Sequence, residues 1–143
     1  MQIAQGAFRV IRYLWASPCS LLGLIFALAA LLVGASIRRY GGTLEVAGGR
    51  LGSWINALPS SMRVYAITLG HVIIGPSHDL LRCHRRHERV HVEQYERWGI
   101  LFIPLYFASS LFQYCHGRDP YNENRFEREA CTRNASMTEE GFL

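Results

Sequence analysis

No lysine occurs anywhere in the 143 residues, so the net charge of +4 rests on arginine alone. Guanidinium groups suit phosphate or carboxylate partners. No motif or basic-aromatic pattern for nucleic acid accompanies them, so nucleic acid is not an expected partner and anionic lipid headgroups fit better. Paired cysteines are also missing. Cys19, Cys83, Cys115 and Cys131 are scattered without a C-x-x-C spacing, which argues against a disulfide framework and favours a reducing compartment. No internal repeat is present. The length allows one domain with a modest core. Half the residues are apolar, yet 18% are charged, which excludes both a disordered chain and a polytopic membrane bundle.

Charge is absent from Cys19 to Ile37, CSLLGLIFALAALLVGASI. Its ten Leu, Ile, Val and Phe residues contribute about −3 to −6 kcal/mol to insertion. Nineteen residues reach about 28 Å as a helix, close to the hydrocarbon thickness. Ser17-Pro18 reads as an N-cap and N1 proline, and Arg38-Arg39 closes the far end. A cleaved signal peptide fits poorly, because the lead is long and GAS-I lacks a good cleavage site. A buried core helix is the remaining alternative. The expectation is a single-pass transmembrane anchor over 19–37. Residues 1–18 precede it as an interfacial helix, with Ile3, Ala7, Phe8, Ile11, Leu14 and Trp15 at helical spacing and Arg9 and Arg12 elsewhere on the turn. Arginines flank both ends, so orientation is weakly specified; the working expectation is a cytoplasmic domain over 38–143.

Beyond Arg39, TLEV and RVYAITLGHVII read as strands of a small antiparallel element, separated by Gly48-Gly49 and Pro59-Ser60-Ser61. Gly75-Pro76 ends the second. A helix then runs from about Asp79 to Trp98, with Ser77 or Asp79 as cap and Gly99 as stop. The polar tail after Asn134 is expected to fray. The fold class is therefore α+β.

Inside the best helix stands His87-Glu88-Arg89-Val90-His91, an H-E-x-x-H. Residues four apart in a helix lie one above the other, so both imidazoles can reach one cation. Glu88 then faces the water in the open coordination position and can take its proton. At 100° per residue, Leu80, His84, His87, His91, Gln94, Tyr95 and Trp98 share one face. The other carries Arg82, Arg85, Arg86, Arg89, Glu93, Glu96 and Arg97, where Arg89–Glu93 and Glu93–Arg97 can pair. Two core histidines bonded locally are the competing interpretation. A hydrolytic zinc takes three protein ligands. His84 would crowd the site, so the third is sought in Asn124 to Ala130, on a second helix after Asp119-Pro120. Spacing favours Glu127 over Glu129. Asn124 with Glu127 is equally a capping box, so both roles stay open for Glu127.

H-E-x-x-H followed roughly 35 residues later by a helical E-x-x-A resembles the gluzincin branch of zinc peptidases. It is most similar to integral-membrane members such as the CAAX prenyl proteases, heat-shock membrane proteases and β-lactam-sensor proteases. The resemblance covers about Leu69 to Cys131 and implies zinc as cofactor, Glu127 as third ligand and Ala130 at the small position. Cys131 stands where those families have an acidic residue, a departure bearing on the outer-shell tuning of the site. His91-Val92-Glu93-Gln94 also resembles the H-x-x-Q extension of some small bacterial zincin-like proteins.

Between the ligands lies a second charge-free run, Gly99 to Tyr114. A single crossing would put His87/His91 and Glu127 on opposite sides of the membrane. Its sixteen residues reach only about 24 Å, with Pro104 interrupting. A re-entrant or interfacial helix is expected, with a core helix under the strands as the alternative. In zincins an edge strand before the active helix binds extended substrate, which points to Arg63–Ile74 here. His71, Tyr121 and His116 are candidates for oxyanion or substrate binding.

The functional expectation is a membrane-associated zinc metallopeptidase acting on a peptide or membrane-protein substrate. Two rivals accompany it: a zincin-like membrane scaffold or assembly protein without turnover, and a lipid-surface protein whose arginine face (Arg82, Arg85, Arg86, Arg89) binds headgroups.

Overall fold

The computed structural model describes residues 2–59 and 65–139, with side chains from 10 to 59 and 65 to 135. The chain is mixed α and β: α1 (Gln2–Leu32), β1 (Ser36–Tyr40), β2 (Thr43–Ala47), α2 (Gly49–Ala57), β3 (Ile67–Leu69), β4 (Val72–Gly75), α3 (His78–Trp98), α4 (Phe102–Cys115) and α5 (Arg125–Glu139). The side chains of Ile3, Ala7, Phe8 and Arg9 lie outside the described residues, as do Ser60, Ser61 and Arg63.

The two N-terminal segments are one helix, not two. Pro18 sits inside α1, where its missing N–H orphans the carbonyl of Leu14. The Ser17 hydroxyl donates to that carbonyl at 2.7 Å, so the helix runs through instead of starting there. It stops at Leu32, five residues short of Ile37. Gly34 has φ 86°, and the Gly34 and Ala35 amides return to Leu31 and Ala30 at 3.0 Å each, a Schellman stop. Ser36 and Ile37 then belong to β1, with Arg38 and Arg39 on an exposed edge strand.

The sheet order is β1-β2-β4-β3, with β1–β2 and β3–β4 antiparallel but β2–β4 parallel. The expected purely antiparallel element is therefore mixed. The expected single strand over Arg63–Ile74 is a hairpin, because Gly70 turns the chain at φ 60°. The segment between Gly48 and Pro59 forms α2 rather than a plain connection.

Alternation along β2 and β4 divides the core. Val46, Val72 and Ile74 face Ala27 and Ala30 of α1; Ala47 and Ile73 face Leu81 and Val92 of α3. Small residues let α1 approach closely. A Cβ on Gly23 would stand 2.7 Å from Val72 Cβ and 2.8 Å from the Leu69 carbonyl. We predict that Gly23→Val costs about 1–3 kcal/mol through overpacking, a fall of roughly 3–10 °C in the thermal midpoint. An unchanged midpoint would show that α1 does not dock on the sheet.

Helix α3 begins at Ser77, whose hydroxyl accepts from the Leu80 amide at 3.2 Å, and ends at Gly99 with φ 57°. Its buried side differs from the expected face. Leu81, Glu88, Val90, His91, Val92, Gln94 and Tyr95 are buried, while Trp98 is exposed and Leu80, His84 and His87 are half-buried. The face widens because α3 packs against the sheet on one side and against α1, α4 and α5 on the other. Arg85 accordingly leaves solvent to pair bidentately with buried Glu45 at 2.6 and 2.9 Å. Glu93 pairs with Arg133, and Arg97 with Glu129, across to α5. Helix α5 runs through Glu139, past Asn134 where the polar tail begins.

Two helical stretches are long and apolar enough to cross a membrane by length and composition, Val10–Leu32 and His78–Cys115. Helix α4 is not packed under the strands. Only Phe102 of it is buried, against Ala16, Cys19, Tyr95 and Phe126.

Candidate metal centre

Three side chains from two helices converge. On α3, His87 and His91 stand one turn apart with their Nε2 atoms 3.1 Å from each other. From α5, Glu127 brings Oε2 within 3.1 Å of His87 Nε2 and Oε1 within 3.4 Å of His91 Nε2. One donor atom from each residue can be chosen so that all lie within 4.8 Å of one another. Ligands about 2.0–2.2 Å from a tetrahedral zinc stand about 3.3–3.6 Å apart, close to the 3.1 and 3.4 Å contacts within the cluster. The donor set of two imidazoles and a carboxylate is likewise that of a hydrolytic zinc. Glu127 Oε2 is buried and its one close polar neighbour is His87 Nε2 at 3.1 Å, without good hydrogen-bond geometry, a costly state for a carboxylate oxygen unless a proton or cation meets it.

The electrostatics agree with the geometry. Burial pushes the Glu127 carboxyl upward, but hydrogen bonding with His87 and His91 and the Tyr106 hydroxyl overcome it and hold the group far below the usual carboxylate range. Burial works against charge on His91, yet the bond to Glu127 and the charges of Glu127 and Glu88 raise it above the ordinary histidine value. Metal binding at this cluster therefore competes with protonation of His91.

A second layer fixes the first. Gln94 Nε2 donates to the Phe126 carbonyl and to Glu129 Oε2, both at 3.1 Å. Its Oε1 must then face His91 Nδ1, 2.8 Å away. That places the His91 proton on Nδ1 and leaves Nε2 with its lone pair toward the cluster. Gln94→Leu is expected to weaken zinc binding roughly 10–100-fold, read by competition with a chelating dye. Unchanged affinity would remove Gln94 from the site. Tyr106 on α4 donates to Glu127 Oε1 at 2.7 Å. Cys131, one residue past Ala130, lies with its Sγ 4.0 Å from His87 Nδ1.

The capping and ligand readings of this segment separate. Asn124 caps α5 with its own side chain, Oδ1 accepting from the Phe126 amide at 2.9 Å. Its Nδ2 donates to the Tyr106 carbonyl and Ser110 Oγ. The Glu127 carboxylate does not turn back to the cap; it faces the histidines. Glu129 is occupied with Gln94, Arg97 and Arg133.

Glu88 is 6% exposed, and Oε2 accepts from the Thr68 hydroxyl at 2.7 Å. Thr68 belongs to edge strand β3, so one hydroxyl links that strand to the carboxylate beside the cluster. Tyr121, in the turn before α5, has a phenol raised by burial and then by the charges of Glu127 and Glu88. It therefore stays protonated near the cluster.

His71 and His116 are not brought to this site. His71 stacks on Tyr13 at 4.1 Å and shares hydrogen bonds with Ser20 and Glu96, joining α1 to α3. His116 is exposed at the end of α4, its Nδ1 donating to the Phe112 carbonyl. His84 stacks on Tyr65. Thr68 and Tyr106 were not anticipated from sequence. Tyr106 lies in an apolar run, and only its spacing four after Phe102 marks an inward face.

No protein-family model, curated protein or solved structure matches this chain.

Proposed function

We propose that the chain is a membrane-associated zinc metallohydrolase of the peptidase type, with His87, His91 and Glu127 as ligands. The observation that carries this reading is the convergence of two imidazole nitrogens and a buried carboxylate. When bound, zinc supplies a Lewis acid that acidifies water toward a pKa of about 7 and polarises a carbonyl. Glu88 takes the proton of the attacking water and delivers it to the leaving amine. Thr68 holds that carboxylate in place from the edge strand. An extended peptide adds to β3 by main-chain pairing, which sets the scissile bond beside Glu88. In this reading the Tyr121 phenol supplies a donor to the developing oxyanion. The gluzincin resemblance supports the same assignment of Glu88 and Glu127.

Cys131 favours a second reading. A weakly polar thiol beside His87, where an acid would orient the ring more firmly, suits a zincin-like scaffold that holds metal without turnover.

The test is zinc content of purified parent, His91→Ala and Glu127→Ala proteins. The parent is expected to hold one zinc per chain. Glu127→Ala is expected to lose affinity beyond the roughly 100-fold that marks an outer-shell partner. Equal zinc content in Glu127→Ala and parent would overturn the ligand assignment.

A further inference from the structure

We infer that α1 lies in the plane of the membrane surface, its outer face in one leaflet, rather than crossing the bilayer. This rests on the membrane part of the proposed function and replaces the single-pass anchor.

The inner side of α1 is attached to the domain along most of its length. Arg12 pairs with Glu96 at 3.7 Å, and Trp15 lies against Gly99. Ser20 Oγ is 2.9 Å from His71 Nδ1, Gly23 touches Val72, and Ala27 and Ala30 close on the sheet. The outer side is apolar and open: Leu14, Leu21, Leu28 and Leu32 are 67%, 59%, 62% and 83% exposed. Val10–Leu32 spans 23 residues, about 34 Å as a helix against a hydrocarbon core of about 30 Å. Were it upright, everything docked between Arg12 and Ala30 would be submerged. That includes β3, an edge strand whose outer N–H and C=O groups are unpaired within the sheet, and β1, exposed throughout and carrying Arg38 and Arg39. Open sheet edges are not tolerated in hydrocarbon.

Laid flat, the same helix sinks its leucines about 5–10 Å into the headgroup and acyl boundary, leaving the sheet in water. Arg38 and Arg39, on the exposed edge strand beside the helix, can reach lipid phosphates. Trp15 suits the interfacial layer. Helix α4, which begins just after the Trp15–Gly99 contact, also exposes Phe107, Leu111 and Phe112.

Leu14, Leu21 and Leu28 are seven residues apart on one face, which makes depth the deciding measurement. Nitroxide labels go on Leu14→Cys, Leu21→Cys and Leu28→Cys, each in a protein with Cys83, Cys115 and Cys131 changed to serine. Each is placed in phosphatidylglycerol–phosphatidylcholine vesicles, with circular dichroism checking the fold. Collision with oxygen and with a water-soluble nickel chelate reports depth. In-plane seating gives three labels at one shallow depth. A deep Leu21 label flanked by Leu14 and Leu28 labels about 10 Å shallower would establish a crossing and overturn the inference. Full nickel access at all three would overturn it together with membrane association, leaving the metal site standing. Spin–spin broadening between chains would show a second copy covering this face instead of lipid, and would overturn the inference in the same way.

Discussion

Glu88→Gln is expected to bind zinc like the parent and to lose about 10²–10⁴-fold in peptide hydrolysis, the range of a positioned general base. The amide keeps the volume and can still meet the Thr68 hydroxyl, which stands 2.7 Å from Oε2 in the parent. Packing around this nearly buried side chain is thus preserved while the proton acceptor is removed. Thr68 separates a chemical effect from a structural one. Thr68→Val leaves Glu88 ionisable but unheld, so kcat should fall with zinc affinity intact, and Thr68→Ser should restore it. Parent-like turnover by Glu88→Gln would eliminate the proposed mechanism without touching the metal assignment.

His87→Ala has the largest expected effect on metal. It removes one of two imidazoles whose Nε2 atoms stand 3.1 Å apart and leaves Glu127 facing His91 alone. The variant is expected to purify without zinc and to lose the thermal stabilisation that added zinc gives the parent. That stabilisation is about 2.7 kcal/mol at a hundredfold excess of zinc over its dissociation constant. Zinc-dependent stabilisation that survives in His87→Ala would place the metal elsewhere. The metal-free proteins should differ less, because the loss is of a ligand and not of core packing: His87 is half-buried, whereas Leu81, Val90 and Val92 carry the apolar contacts of α3.

The pairing of His87 and His91 was legible because helical spacing alone sets it: four residues bring two rings to one side whatever the tertiary context. The limits of α3 were legible for a similar reason, since Ser77 and Gly99 act locally. Glu127 was ambiguous because one residue three positions after Asn124 serves equally as cap partner or ligand, and local sequence does not say where its carboxylate turns. Packing against Tyr106 and the histidines turns it toward the cluster and away from the cap. The N-terminal region misled for a definite physical reason. Ser17-Pro18 carries the composition of a helix start, but a serine before a proline can also satisfy the carbonyl that the proline orphans. Arg38-Arg39 resembled the charged end of an anchor, yet the arginines sit on an edge strand whose partner, Thr43–Ala47, lies beyond a Gly41-Gly42 turn. The inward face of α4 was hidden because residues buried against protein and residues open to lipid are equally apolar.

X-ray absorption at the zinc edge of the purified, zinc-loaded protein examines the donor set itself. Two imidazole nitrogens at about 2.0–2.1 Å and a carboxylate oxygen at about 2.0–2.2 Å are predicted, with a further light-atom ligand from water. A spectrum with no imidazole scattering, or one dominated by sulfur at about 2.3 Å, would contradict a centre built from His87, His91 and Glu127.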